Sequence, residues 1–461
     1  MGKKNTNSRQ TQARHYPLYW LYRTFEFFLR LMPMELVCII GAAFGQAGWL
    51  LMHGRREMVI RNLRIALGEE RDIQEIRQLC RQTFRNSGVN FLASVRATTM
   101  SADELRKRMK IDGIEHLESA TAQGHGAILL LAHMGNWEML TQMHLVAPCL
   151  VPLAGLYRPL DNPLLDRLVK RRRQSMGTTL FSRRDGFFKP ISHLKSGGTL
   201  GAIADQHAGD HGMAVPFFGK LTSMTNLPAL LHRRTGAPII PVSMVTCSPG
   251  NWRIVVHPAL RINEEQKKNA SQITALCAKA YETVMLEHPT DVLWMHRYWR
   301  VGAKSPLKID GTQKKKPAAA ESAARKPFNV LVFTGQSTSE DEDLRHHLHH
   351  LRHYRPDMRV TLVGQHALSP EADHFIPFDP AEPPHLVANA IRDYDLSQAI
   401  PFDCALDLTP EASGARILEM AKLARIFAMQ GKHQSLRTKK LFAGLDTTGT
   451  GVYLRSLGLQ S

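Results

Sequence analysis

Cysteine is scarce in this chain: six residues in 461 (Cys38, Cys80, Cys149, Cys247, Cys277, Cys404), far apart and with no C-x-x-C pair. That spacing argues against a zinc site and a disulfide framework, and fits a reducing compartment in which cysteines serve as small core hydrophobes. Acidic residues are also short, 41 against 59 Lys and Arg, which leaves a formal charge of +18. Such a surplus implies acidic company: an anionic lipid, a nucleic acid or an acidic carrier protein. Nucleic acid is disfavoured, because the chain has no zinc-finger spacing, no recognition helix and no interleaved aromatic and basic motif. A cleavable signal is missing as well. The first apolar material is long and aromatic and runs into more apolar sequence without a small-residue cleavage site. No internal repeat is present.

What is there begins at Tyr16. Up to Met32, the apolar residues Trp20, Phe25, Phe27, Phe28 and Leu31 are mixed with Arg23, Glu26 and Arg30, whose three- and four-residue spacing gathers the charges on one face of an interfacial helix. After Pro33, the run Met34 to Met52 is about long enough to cross a bilayer, yet it contains Glu35, Gln46 and the pair Gly41 and Gly45. Basic residues lie on both flanks (Lys3, Lys4, Arg9, Arg14; then Arg55, Arg56, Arg61, Arg64), so both ends favour the cytoplasmic side. A shallow or re-entrant anchor over 1–56 is preferred to a full span, with a buried core helix as the other option.

Gln78 to Ala97 and Ala102 to Met109 read as helices that lead into a main α/β domain over 57–303. Its expected strands are Ala127 to Leu131, Thr199 to Ala204, Ile239 to Val245 and Trp252 to His257, and its helices include Asn162 to Gln174, Asn226 to Thr235 and Ala270 to Glu287. Residues 304–327, with Lys314-Lys315-Lys316-Pro317 followed by alanines, read as a flexible basic linker that is a solvated spacer or a contact for anionic lipid. Beyond it, strands Asn329 to Phe333 and Arg359 to Val363 flank a helix Glu342 to His353, one βαβ unit of a small Rossmann-like domain over 328–461. That helix carries His346, His347, His349, His350 and His353. The pair His346 and His350 has metal-binding spacing, but carboxylates nearby are few, and an exposed helix face is the preferred reading.

The chemistry concentrates at His133. Gly124 and Gly126 precede the apolar run Ala127 to Ala132, so the imidazole emerges at the carboxyl end of a strand, the edge where open α/β sheets bind ligands. Gly135 can supply a tight turn and Asn136 can cap a helix beginning at Trp137. Five positions sit about 140° apart on a continuous helix, so a turn is needed to fold the Glu138 carboxylate back onto one ring nitrogen. The other nitrogen then acts as a general base. Asp205 ends another apolar run at the same edge, as a site residue or a helix cap. The cations Arg167, Lys170, Arg171, Arg172 and Arg173, with Arg183 and Arg184, are a docking surface for an acidic carrier or lipid headgroups, or else a solvated face. His296 and Arg297 either approach the site or pack with Trp294 and Trp299.

These blocks occur in order: His133-x-x-x-x-Glu138; Tyr157-Arg158-Pro159 with Asn162-Pro163; Asp205-Gln206; Pro216-Phe217-Phe218-Gly219 with Gly236 to Val242; and Trp294-Met295-His296-Arg297 with Trp299-Arg300. Through them roughly the first 300 residues resemble the late lipid A acyltransferases, a branch of the lysophospholipid acyltransferase group. The resemblance implies an acyltransferase-type mixed sheet flanked by helices, with an N-terminal membrane helix, at the cytoplasmic face of the inner membrane. It further implies O-acyl transfer from an acyl carrier protein or coenzyme A thioester to a hydroxyl of a lipid A precursor or similar glycolipid, without a metal or other cofactor. His133 and Glu138 would be catalytic, and Asn136, Arg158, Asp205 and Gln206 would bind substrate, with Arg158 serving the oxyanion or a sugar-linked phosphate. His207 departs from the family, which carries an acidic or small residue there. The same chemistry on a lysophospholipid or aminolipid remains open, as does a lipid- or sugar-binding protein whose tail carries the function.

The tail resembles the acceptor-side half of heptosyltransferase-type glycosyltransferases through Asn329 to Phe333, Tyr354 to Val363 and Phe402 to Leu408. It has Thr334-Gly335-Gln336-Ser337 where a glycine-rich turn is expected, and no second nucleotide-binding half, which implies a binding or degenerate domain. If the tail is dispensable for chemistry, a chain ending near Lys304 keeps its activity.

Overall fold

The structure, a computed structural model, describes residues 14–122, 124, 126–150, 152–182, 186–209, 212–299, 326–335, 357–367, 372–379, 381–407, 417, 421 and 426–429. Arg183, Arg184, residues 304–325 of the expected linker and the histidine-bearing segment Glu342 to His353 lie outside the described residues.

The chain runs through α1 (Tyr16–Arg30), α2 (Met34–Leu51), α3 (His53–Leu67), α4 (Ile73–Ala97), α5 (Ala102–Arg108), β1 (Met109–Asp112), α6 (Ile114–Thr121) and β2 (Ala127–Leu131). A 3₁₀ helix at Trp137–Leu145 leads to β3 (Leu153–Tyr157), α7 (Pro163–Gln174), β4 (Thr179–Ser182), α8 (Phe188–Lys195) and β5 (Thr199–Ile203). Next come β6 (Met213–Phe217), β7 (Lys220–Met224), α9 (Leu227–Thr235), β8 (Ile239–Ser248), β9 (Asn251–Val256), α10 (Glu264–Lys267) and α11 (Ala270–Glu287). The tail contributes β10 (Phe328–Gly335), β11 (Met358–Gly364), β12 (His374–Pro377), α12 (Pro384–Ser397), β13 (Cys404–Asp407) and β14 (Ile426–Met429). Two compact units result, one from 1–53, 79–205 and 226–293, the other from 54–78, 206–225 and 294–461.

The first unit holds a seven-stranded mixed sheet in the order β1-β9-β8-β2-β5-β3-β4. Only β8 and β9 pair antiparallel; the other neighbours are parallel. At its centre β2, Ala-Ile-Leu-Leu-Leu, is buried at every position, as a strand covered on both faces must be. Leu129, Leu131, Ile240, Val242, Met244, Trp252 and Ile254 from β2, β8 and β9 share one core cluster. Cys38, Cys80 and Cys277 are buried as core hydrophobes, whereas Cys149 is half-buried and Cys247 exposed. Burial pushes the Cys38 thiol up to about 11 and that of Cys277 up to about 12, so neither is a ready nucleophile.

In the second unit, β6 and β7 form a two-stranded antiparallel hairpin. Its turn puts Phe218 at φ 51° and Gly219 at φ 76°, the pair of left-handed residues that a two-residue hairpin loop needs. Phe218 holds that conformation against the rings of Phe217, Trp294 and Trp299. The tail's strands β12-β11-β10-β13-β14 are parallel throughout, and α12 buries Val387, Ala388 and Ile391 in their core cluster.

Candidate active site

Register places the site. Leu131 of β2 pairs with Ile203 of β5, so His133 and Asp205, each two residues further, end side by side at the carboxyl edge of adjacent parallel strands. Gly155 of β3 pairs with Gly201, which brings Arg158, exposed at the end of β3, level with Ala204 at the same edge.

The Asp205 carboxylate, fully buried, takes His133 from two sides. Its Oδ2 accepts the His133 backbone N–H at 3.0 Å and its Oδ1 lies 2.6 Å from Nδ1. This corrects the expectation that Glu138 orients the ring. Glu138 instead receives Arg173 of α7 in a two-pronged bond, Nε to Oε2 at 2.9 Å and Nη2 to Oε1 at 2.6 Å. The imidazole meets the Trp137 ring edge-on, their centroids 5.4 Å apart. The reason is local. Gly135 makes the sharp turn at φ 52°, where a Cβ would sit 3.0 Å from the Met244 carbonyl carbon, and a 3₁₀ helix follows rather than an α-helix. That tighter turn directs Glu138 toward α7.

Asn136 stands before this helix without capping it. Its side chain is 1% exposed, and neither its Nδ2 nor its Oδ1 has a hydrogen-bond partner among the described residues. Gln206 belongs to the second unit, where its amide lies 2.8 Å from His296 Nε2. Of the α7 cations, Arg172 turns inward to the Tyr22 hydroxyl and the buried Glu26, and Arg173 to Glu138, while Arg167 and Arg171 remain exposed.

Three supports of the site were not legible in the sequence. Tyr281 of α11, 1% exposed, donates its hydroxyl to the Leu131 carbonyl and accepts the Ala204 N–H, both at 3.1 Å. One phenol thus ties the two strand ends that carry His133 and Asp205. The segment Asp291–Leu293 straps the turn at His133: Gly135 N–H donates to the Asp291 carbonyl and Leu293 N–H to that of His133, each at 2.9 Å. Burial pushes the Asp291 carboxyl up from its usual range, opposed by the bond it accepts from Thr246 N–H. The third is Arg173. The apolar face of α11 could have pointed to Tyr281 as a core residue, but nothing in the pattern shows where its hydroxyl goes. Tyr281→Phe removes both bonds and is expected to cost about 1–3 kcal/mol of stability. Because it loosens the dyad, kcat should fall with little change in KM; wild-type kcat in the variant would count against a positioning role.

Beside the dyad is a mainly apolar cavity of about 300 Å³. Tyr22, Phe91, Val95, Trp137, Leu160 and Val169 contribute apolar surface, and Glu138 and Arg173 share the lining. Its size and character suit a hydrocarbon chain.

Residues 5–301 match the family model of bacterial lipid A biosynthesis acyltransferases. A lipid A biosynthesis acyltransferase of Haemophilus influenzae is 26% identical over 199 residues, 42% of this chain and 60% of that relative, so the match spans less than two thirds of it. The lipid A biosynthesis palmitoleoyltransferase of Escherichia coli is 23% identical over 272 residues, 58% of this chain and 86% of its own. A phosphatidylinositol mannoside acyltransferase of Mycobacterium tuberculosis is 27% identical over 263 residues, 55% and 80% of the two chains.

Proposed function

The chain belongs to the bacterial lipid A biosynthesis acyltransferase family and is an acyltransferase, and from that premise we propose that it moves a fatty acyl group from a thioester to a hydroxyl of a glycolipid at a membrane surface. The observation that carries the mechanism is the His133–Asp205 contact at the carboxyl edge of the sheet. With Nδ1 engaged by Asp205, His133 takes the acceptor's hydroxyl proton at Nε2 as the oxygen attacks the thioester carbonyl carbon. The buried Asp205 carboxylate fixes the tautomer of the neutral ring, with the proton on Nδ1, and stabilises the imidazolium that forms when Nε2 takes the hydroxyl proton. Collapse of the tetrahedral intermediate breaks the C–S bond, and the departing sulfur recovers the proton from Nε2. No covalent enzyme intermediate is needed. Arg158 is our candidate donor to the oxyanion or to a phosphate of the acceptor.

The cavity takes the acyl chain, and the Glu138–Arg173 pair holds one wall of it. The exposed Arg167 and Arg171 of α7 suit an acidic acyl carrier protein as the donor. Relatives named for lipid A and for phosphatidylinositol mannosides both use glycolipid acceptors, so a lipid A precursor is the first acceptor to test and a mannosylated phospholipid the second. Mass spectrometry of membrane lipids from cells with the protein, without it, and with His133→Ala decides this. A glycolipid that gains one acyl mass only with His133 present is expected; lipids unchanged across all three would defeat the proposal.

A further inference from the structure

Fifteen of the 21 large apolar side chains exposed among the described residues fall between Tyr16 and Met52. So dense a patch marks an interaction surface, not the ordinary scatter of a soluble exterior. By length and composition α2 is able to cross a bilayer: its 18 residues would reach about 27 Å.

Its packing argues otherwise. Met34, Val37, Cys38, Gly41 and Gly45 form one buried helical face. That face meets α4 at backbone distance, since a Cβ on Gly41 would lie 2.7 Å from the Gly88 carbonyl oxygen and one on Gly45 2.9 Å from the Arg85 Cα. Further along, Arg81 of α4 donates to Gln46 at 2.9 Å and covers the Trp49 ring at 5.4 Å. Near the start of α2, Arg108 binds Glu35 at 2.9 Å. From end to end the helix therefore lies beside charged groups of its own α/β unit. Turned across a bilayer, it would carry the exposed Arg81 and Arg85 into hydrocarbon, where arginine is strongly disfavoured.

We propose that α2 lies in the plane of the lipid surface, so that both its ends stay on one side. Leu36, Ile39, Ile40, Phe44, Leu50 and Leu51 make up the opposite, exposed face, and enter the acyl layer of one anionic leaflet. Basic sequence on both flanks favours the same arrangement, because each flank seeks the same side. α1 belongs to this layer: Leu29, Val37, Leu92 and Val95 bind α1, α2 and α4 into one small core. Tyr22 on α1 also lines the cavity, beside Phe91 and Val95 of α4, so a helix that meets the lipid helps to wall the chain-binding space. This rests on the membrane half of the proposed function and not on the identity of the acceptor.

The test uses the full-length protein with the exposed Cys247 replaced by Ser. Leu36→Cys, Phe44→Cys and Leu51→Cys, each carrying an environment-sensitive fluorophore, are bound to vesicles of phosphatidylethanolamine and phosphatidylglycerol brominated at defined depths. Equal, shallow depths at all three, within about 5–10 Å of the headgroup boundary, are expected. Phe44 at the bilayer centre with Leu36 and Leu51 in opposite leaflets would overturn the proposal, as would a wild-type protein that does not bind the vesicles. No turnover is measured, so either failure leaves the acyl-transfer reading standing.

Discussion

Replacing His133 with alanine is expected to lower kcat by about 10²–10⁴-fold, the share of a reaction that a positioned general base supplies. The informative comparison is between the two carboxylates. Asp205→Asn keeps the shape but removes the charge that supports the imidazolium, and it turns one amide N–H against either the His133 N–H or Nδ1–H. A loss of about 10²-fold or more in kcat follows, with circular dichroism and vesicle binding unchanged. Glu138→Gln only weakens the bond to Arg173 at the cavity wall, so its effect should fall mainly on KM for the acyl donor. Steady-state kinetics on the three variants decide the matter. If Glu138→Gln matches His133→Ala while Asp205→Asn stays near wild type, the assignment of Asp205 to the imidazole is wrong.

The second large effect lies in the other unit and concerns stability. The Asp403 side chain is 1% exposed and accepts Arg61 at 2.6 Å, Lys220 at 2.5 Å and the Asn329 N–H at 2.9 Å. Asp395, also buried, pairs with Arg64 at 2.8 Å. Burial pulls the Arg61 guanidinium down from its usual value, and Asp403 and Asp395 oppose that pull. Removing one partner of such a network strands the others in low dielectric, at a cost of about 3–5 kcal/mol. Asp403→Ala should therefore lower the urea midpoint markedly, since that cost is a large part of the roughly 5–15 kcal/mol by which a typical domain is stable. A chain ending at Lys304 loses both aspartates at once and strands Arg61, Arg64 and Lys220. It should fail to accumulate folded, even though no described residue of the tail enters the proposed His133 mechanism. A truncated protein with a normal unfolding midpoint would contradict this, and would restore the view of the tail as a detachable module.

Much of the sheet could be read in advance. β2, β5 and β8 fall where largely apolar runs predict them, because strands buried on both faces need no alternation to be recognised, and β9 falls where Trp252, Ile254 and Val256 alternate with less buried residues. The hairpin β6–β7 was missed. Lys220-Leu-Thr-Ser-Met is buried throughout although half polar, and its lysine goes inside only because Asp403, 183 residues later, is there to receive it. At the site, the position of His133 followed from a strand run and a glycine. Its partner did not. A five-residue spacing made Glu138 the natural choice, whereas the ring is held by a residue 72 positions away.

Residue order by itself determined the apolar strand that ends at His133, the glycine turn after it, the second strand that ends at Asp205 and the amphipathic start of the chain, since each follows from local periodicity and backbone freedom. Only the tertiary structure decided which carboxylate meets the imidazole, that Tyr281 ties the two strand ends and that a helix long enough to span a bilayer is laid along α4. Those outcomes depend on strand register and helix packing, and these bring together groups that no local pattern connects.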